Sequence, residues 1–83
     1  MSEIIEDQIR SVVANIRQVR ELRNYTQEYV AMKLGISQNS YSKIELAYTK
    51  ITVEKLIQIA EILQVDPVDL LFSKKGTMVQ LKV

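Results

Sequence analysis

The 83-residue chain contains no cysteine and no histidine. Without cysteine there is neither a disulfide framework nor a thiolate metal site, which fits a reducing compartment. Without histidine the usual general base and the commonest nitrogen ligand for metals are missing, so neither Ser/His/Asp nor Cys/His chemistry can be assembled from this sequence. Glycine is nearly as scarce: Gly35 and Gly76 are the two, and they cannot make a phosphate-cradling loop. Carboxylates remain, but none stands beside a recognisable nucleophile. No catalytic residues, no metal and no cofactor are expected, and the chain reads as a non-enzyme. No apolar run approaches the length of a membrane span, and the start, MSEIIEDQIR, is acidic and interrupted, unlike a secretory leader. The expectation is a soluble, cytoplasmic protein with no membrane partner.

What the chain does have is apolar residues, 47% of the total, enough for one domain with one modest core. Its net charge of +1 is uninformative, but the charge is unevenly placed. Residues 1–9 carry Glu3, Glu6 and Asp7 and no base, whereas residues 10–50 carry seven bases against Glu21, Glu28 and Glu45. A basic middle is a weak footprint of phosphate binding, and an ordinary solvated helix surface produces one just as well.

Periodicity predicts an all-α chain of five helices. Ile4, Ile5, Ile9, Val12, Val13, Ile16, Val19 and Leu22 recur at helical spacing without Gly or Pro, giving one long helix or two joined ones over 3–24. Thr26 offers an N-cap for a short second helix with Val30, Ala31 and Leu34, and Gly35 supplies a left-handed stop. Ser37 offers the cap of a third helix. Thr52 opens an amphipathic fourth with Leu56, Ile59, Ala60 and Leu63 inward. Asp66-Pro67 starts a fifth over 67–72, with Asp accepting free amides and Pro at the position that needs no amide partner. In TMVQLKV, Val79, Leu81 and Val83 alternate as in a strand, though a loose tail has the same pattern.

The segment LGISQNSYSKIE, Leu34 to Glu45, divides its residues between two tasks. If Tyr41 and Ile44 face inward, the 3.6-residue period turns Gln38, Asn39, Ser42 and Lys43 outward, with Ser40 at the margin. Val30, Leu34 and Ile36 then share a core with Tyr41 and Ile44, and Ala31 is small where two helices would cross. Amide side chains pair with the N6 and N7 of adenine, and lysine reaches guanine or phosphate, so this polar face suits base edges.

These residues resemble the Cro/repressor type of helix-turn-helix protein, the XRE family, over roughly residues 13–72. The core of the likeness is TQEYVAMKLGISQNSYSKIE, Thr26 to Glu45, and LIQIAEILQVDPVDLL is similar to the family's fourth and fifth helices. The resemblance implies a five-helix, lambda-repressor-like domain over 13–72; a helical extension at 1–12 and a tail at 73–83 lie outside the match. It also implies a sequence-specific regulator of transcription, a repressor in the first instance, that binds double-stranded DNA through the major groove. By the same resemblance Gln38, Asn39, Ser40, Ser42 and Lys43 read bases or hold backbone, Gln38 bracing Gln27. Gln27, Arg20, Thr49 and Lys50 approach phosphates, and Arg20 and Glu45 form an ion pair. Each has a plainer reading: Gln38 and Asn39 as solvated first-turn residues, Lys43 and Lys50 as surface lysines, Arg20 and Glu45 as a structural pair alone.

Two points lie outside the family pattern. Ala47 stands where members place glycine, so the third helix is expected to run on into Tyr48 or the loop to bend differently, which leaves the reach of Thr49 and Lys50 open. Ile4, Ile5 and Ile9 are more apolar than a free terminus needs. They pack back on the domain or meet another subunit, so a homodimer seamed through a terminus or the fifth helix is expected. The alternative is an antitoxin-like module that binds a partner protein through residues 1–12 or 73–83 and represses its own operon.

Overall fold

The computed structural model describes residues 3–72 and has five helices in chain order: α1 Glu3–Leu22, α2 Gln27–Leu34, α3 Gln38–Glu45, α4 Val53–Leu63 and α5 Pro67–Phe72. There is no strand among the described residues, and the alternating segment at 77–83 lies outside them. The fold is all-α, as expected. α1 is a single helix that passes residue 12 without a break.

The helix starts follow from local chemistry. Thr26, Ser37 and Thr52 have extended backbones, and their hydroxyls accept from the amides of Tyr29, Ser40 and Lys55. Asp66 Oδ1 accepts from the Val68 amide at 2.9 Å. Each such cap is worth about 1 kcal/mol.

The helix ends hold a finding that composition hides. α1, α2, α3 and α4 close with the same doubled pattern of hydrogen bonds. An amide just beyond each helix reaches back five residues, as in Tyr25 to Arg20, Ile36 to Ala31, Tyr48 to Lys43 and Val65 to Ala60. The residue before it is left-handed each time: Asn24 (φ 60°), Gly35 (φ 74°), Ala47 (φ 61°) and Gln64 (φ 61°). This is the Schellman closure, and only one of the four is built on glycine. α1 therefore ends at Leu22, short of the expected residue 24, because Asn24 turns left-handed. The expectation for Ala47 is corrected: α3 does not run into Tyr48 but ends at Glu45, with Ala47 taking the conformation that glycine usually fills. In a Cβ-bearing residue that costs roughly 1–2 kcal/mol, which the Ala47 and Tyr48 hydrogen bonds to Ile44 and Lys43 help to offset.

The apolar faces meet in one cluster. Ile16 and Val19 of α1, Val30 of α2, Tyr41 of α3, Ile59 and Leu63 of α4 and Leu70 of α5 are all fully buried. At roughly 1.5–3 kcal/mol per buried large side chain, this cluster supplies most of the drive to fold. Two polar side chains staple the helices across long sequence separations. The buried Asn15 donates from Nδ2 to the Leu70 carbonyl at 2.8 Å, tying α1 to α5. Arg23 donates from Nε to the Leu63 carbonyl at 2.9 Å and from Nη2 to that of Gln64 at 3.1 Å, placing a cation on the negative end of α4.

Candidate nucleic-acid interface

α2 and α3 are joined by Gly35, Ile36 and Ser37 alone. The left-handed Gly35 reverses the chain, Ile36 packs on the core, and Ser37 accepts the Ser40 amide to begin α3. A Cβ on Gly35 would meet nothing within 4 Å, so glycine is needed there for its backbone and not for space.

On α3, Tyr41 and Ile44 are buried, and the opposite surface follows the period. Gln38, Asn39, Ser40 and Lys43 are exposed and Ser42 is half-buried. Ser40 is partly committed to the cap, since the Ser37 hydroxyl donates to its Oγ at 2.9 Å. Gln38, Asn39 and Lys43 are the long polar side chains presented outward from one rigid helix.

The other end of α3 is held from behind. Glu45 accepts from Arg20 Nε at 2.7 Å and Nη2 at 3.1 Å, from the Tyr41 hydroxyl at 2.5 Å and from Gln27 Nε2 at 3.1 Å. Arg20 also donates from Nη1 to the Tyr25 carbonyl at 2.8 Å. The ion pair is sequestered, with side-chain exposures of 10% for Arg20 and 3% for Glu45. Burial pushes the Glu45 carboxyl up, but the hydrogen bonds from Arg20, Tyr41 and Gln27 outweigh it and hold the group below the usual carboxylate range. The Glu45 hydrogen bond raises Arg20 against the opposing effect of burial, while burial first and Glu45 second push the Tyr41 phenol well above its ordinary value.

This network separates residues that the resemblance had grouped. Arg20 and Glu45 do pair, but Arg20 is buried and most of its guanidinium is already engaged. Gln27, half-buried at the start of α2, gives its amide to Glu45, and no Gln27–Gln38 hydrogen bond appears among the described residues. Thr49 and Lys50 lie beside the exposed side of α3. Together with Ser40, Lys43, Thr52 and Lys55 they line a shallow groove between α3 and the start of α4, with three lysines and no carboxylate in its walls. Lys55 was missed in the sequence because it stands twelve residues from Lys43 and joins it only through the turn at Ala47. Lys33, by contrast, has its Nζ 5.7 Å from the Tyr29 ring centroid, and Tyr29 packs at 4.6 Å against Tyr25.

Two short helices in a shared core, joined by a three-residue turn and presenting the outer face of the second, define the helix-turn-helix class. A model of the helix-turn-helix family matches residues 16–70, and the chain belongs to that family, in its Cro/repressor (XRE) type. Its members are DNA-binding regulators, and this chain is a DNA-binding regulator of that type. No curated protein and no solved structure matches it. Among the described residues no group of Asp and Glu could hold a metal, and no helix is long and apolar enough to cross a membrane.

Proposed function

We propose that the protein is a sequence-specific repressor that occupies its operator by laying α3 in the major groove. The observation that carries this is the pairing of Gln38, Asn39 and Lys43 on an exposed face with the buried Arg20–Glu45–Tyr41–Gln27 network behind it. A base reader needs donors and acceptors in fixed positions, and that network fixes the helix carrying them. Gln38 and Asn39 are assigned to base edges, with Ser42 beside them. Ser40 is assigned to the groove margin, and Lys43 to guanine or phosphate. Thr49, Lys50 and Lys55 hold the phosphates along the groove after α3, while Gln27 approaches one from the start of α2. Arg20 acts through Glu45 as a positioning residue.

The working form is a homodimer on a palindromic site, with half-sites about 34 Å apart. Its seam runs through α5, where Val68 and Phe72 stand exposed. Site selection from random duplex DNA, followed by titration of the winner against scrambled DNA, tests this reading. A palindrome bound roughly a thousandfold tighter than scrambled DNA is the expected outcome. No enriched site, with equal and steeply salt-dependent binding to both, would overturn it. That result would favour a protein-interaction role in which the exposed Ile4 and Ile5, within residues 1–12, meet a partner protein, and operon-specific repression would fall with it.

A further inference from the structure

α1 carries one arginine that the fold does not use. Of the four arginines in the chain, Arg17 pairs with Glu21 at 3.4 Å, Arg20 pairs with Glu45 at 2.7 Å, and Arg23 donates to the carbonyls of Leu63 and Gln64. Arg10 is exposed and makes no hydrogen bond or ion pair among the described residues, although Glu6 stands one helical turn before it. It also lies outside residues 16–70, the stretch matched to the helix-turn-helix family, so the family likeness assigns it nothing. Its surroundings do. The first half of α1 passes beside the loop that follows α3, where Arg10 shares a groove with Tyr48, Thr49 and Lys50. Thr49 and Lys50 also line the groove between α3 and the start of α4. The two grooves therefore meet along this pair of residues, and Lys43, Lys55, Lys50 and Arg10 form one strip with Glu6 as the single acid in its walls.

We infer that Arg10 grips a backbone phosphate of the DNA, extending the interface from α3 across Lys50 onto the first half of α1. The inference rests on the proposed reading of α3, because that reading is what puts Lys50 on a phosphate. A guanidinium suits the task, since its planar fork offers two parallel donors to two phosphate oxygens where an ammonium acts as a point charge. No protein group among the described residues competes for that fork. Tyr48, 78% exposed in the same wall, offers a hydroxyl to the same stretch of backbone. Such a contact carries no sequence information of its own. It lengthens the footprint beyond the part of the chain that the family model covers and helps to fix the register of α3 on the duplex.

The test titrates the full chain with a selected site and with a scrambled duplex over a range of salt. Arg10→Gln should lower the salt slope by about 0.9 per bound copy on both duplexes, and Arg10→Lys should keep it. Both variants should leave the urea midpoint in place, because the side chain is exposed. Replacing the phosphates of the selected site one at a time by neutral methylphosphonates locates the contact: one position should weaken the parent and leave Arg10→Gln unaffected. An unchanged slope in Arg10→Gln, where Lys50→Ala reduces it, would overturn the inference and leave the reading of α3 standing. A reduced slope in Arg10→Gln with no such phosphate position would overturn it as well, since the arginine would then act only through its distant charge. Failure to enrich a site sinks base reading alone, because the scrambled duplex still reports the slope, whereas binding to neither duplex would remove both.

Discussion

The two ends of α3 are built to opposite rules. At its start, Gln38 and Asn39 project into solvent with hydrogen-bonding groups free for a ligand, while at its end Glu45 has both carboxylate oxygens engaged by three other side chains. The first arrangement holds little stability and offers recognition; the second holds stability and offers no surface. The base reading proposed for α3 needs both, because an exposed amide discriminates between bases only if the helix beneath it cannot drift. Substitutions that break one end at a time separate the two.

The largest effect is expected at the anchored end. Glu45→Ala leaves the Arg20 guanidinium buried beside an orphaned Tyr41 hydroxyl, and should cost about 3–5 kcal/mol by urea denaturation. Loss of DNA binding would follow from loss of the fold. The same network sets an acid limit. Because the folded Glu45 pKa is lowered, its contribution is fully present above the ordinary carboxylate value, about 4.3. That contribution is lost as pH falls through the lower folded value. Urea midpoints measured from neutral to strongly acidic pH should show this step in the unmodified chain and lack it in Glu45→Gln.

At the other end the effect moves from stability to discrimination. Gln38→Ala and Asn39→Ala should each leave the urea midpoint within about 0.5 kcal/mol of the original, since both side chains are exposed. Each should cost about 1–3 kcal/mol of preference at particular base pairs of a selected site. If Gln38→Ala, Asn39→Ala and Ser42→Ala combined in one chain bind that site as the parent does, this face is not the reader.

How much of this contrast the sequence displayed depends on the range of the interactions. The outward face of α3 was legible because it rests on the 3.6-residue period alone, and the starts at Thr26, Ser37, Thr52 and Asp66 because a cap acts within three residues. The Arg20–Glu45 pair came from family likeness, and nothing local announced that Gln27 and the Tyr41 hydroxyl join it. Asn15 and Arg23 were invisible for a stronger reason: their partners, the carbonyls of Leu70 and Leu63, are backbone groups 55 and 40 residues away. Gly35 announced its turn, whereas Asn24, Ala47 and Gln64 adopt the same conformation without the residue type that signals it.

That last difference is itself testable, between the turn before α3 and the turn after it. Ala47→Gly removes a strained Cβ where the hydrogen-bonded closure already exists, and should stabilise the chain by about 0.5–1 kcal/mol after allowing for the freer unfolded state. Gly35→Ala imposes the same strain and should cost about 1–2 kcal/mol, with no steric term because the added Cβ meets nothing. Equal and small changes at both sites would mean that the left-handed strain is relieved elsewhere in the loops.

The smallest effect separates phosphate holding from base reading along the groove between α3 and α4. Lys43, Lys50 and Lys55 share that groove, but only Lys43 also stands on the face that carries Gln38 and Asn39. A lysine that only neutralises a phosphate contributes about 0.9 to the salt slope, so Lys50→Ala or Lys55→Ala should weaken all DNA sequences alike. The loss should be about threefold larger at 50 mM than at 200 mM salt. Lys43→Ala decides between its two assignments. A uniform loss with the same reduced slope puts its ammonium on a phosphate, and a loss confined to guanine-containing sites with the slope unchanged puts it on a base edge. Either result leaves the anchored end of α3 untouched, and a shifted urea midpoint in any of the three variants would show that the two ends are coupled.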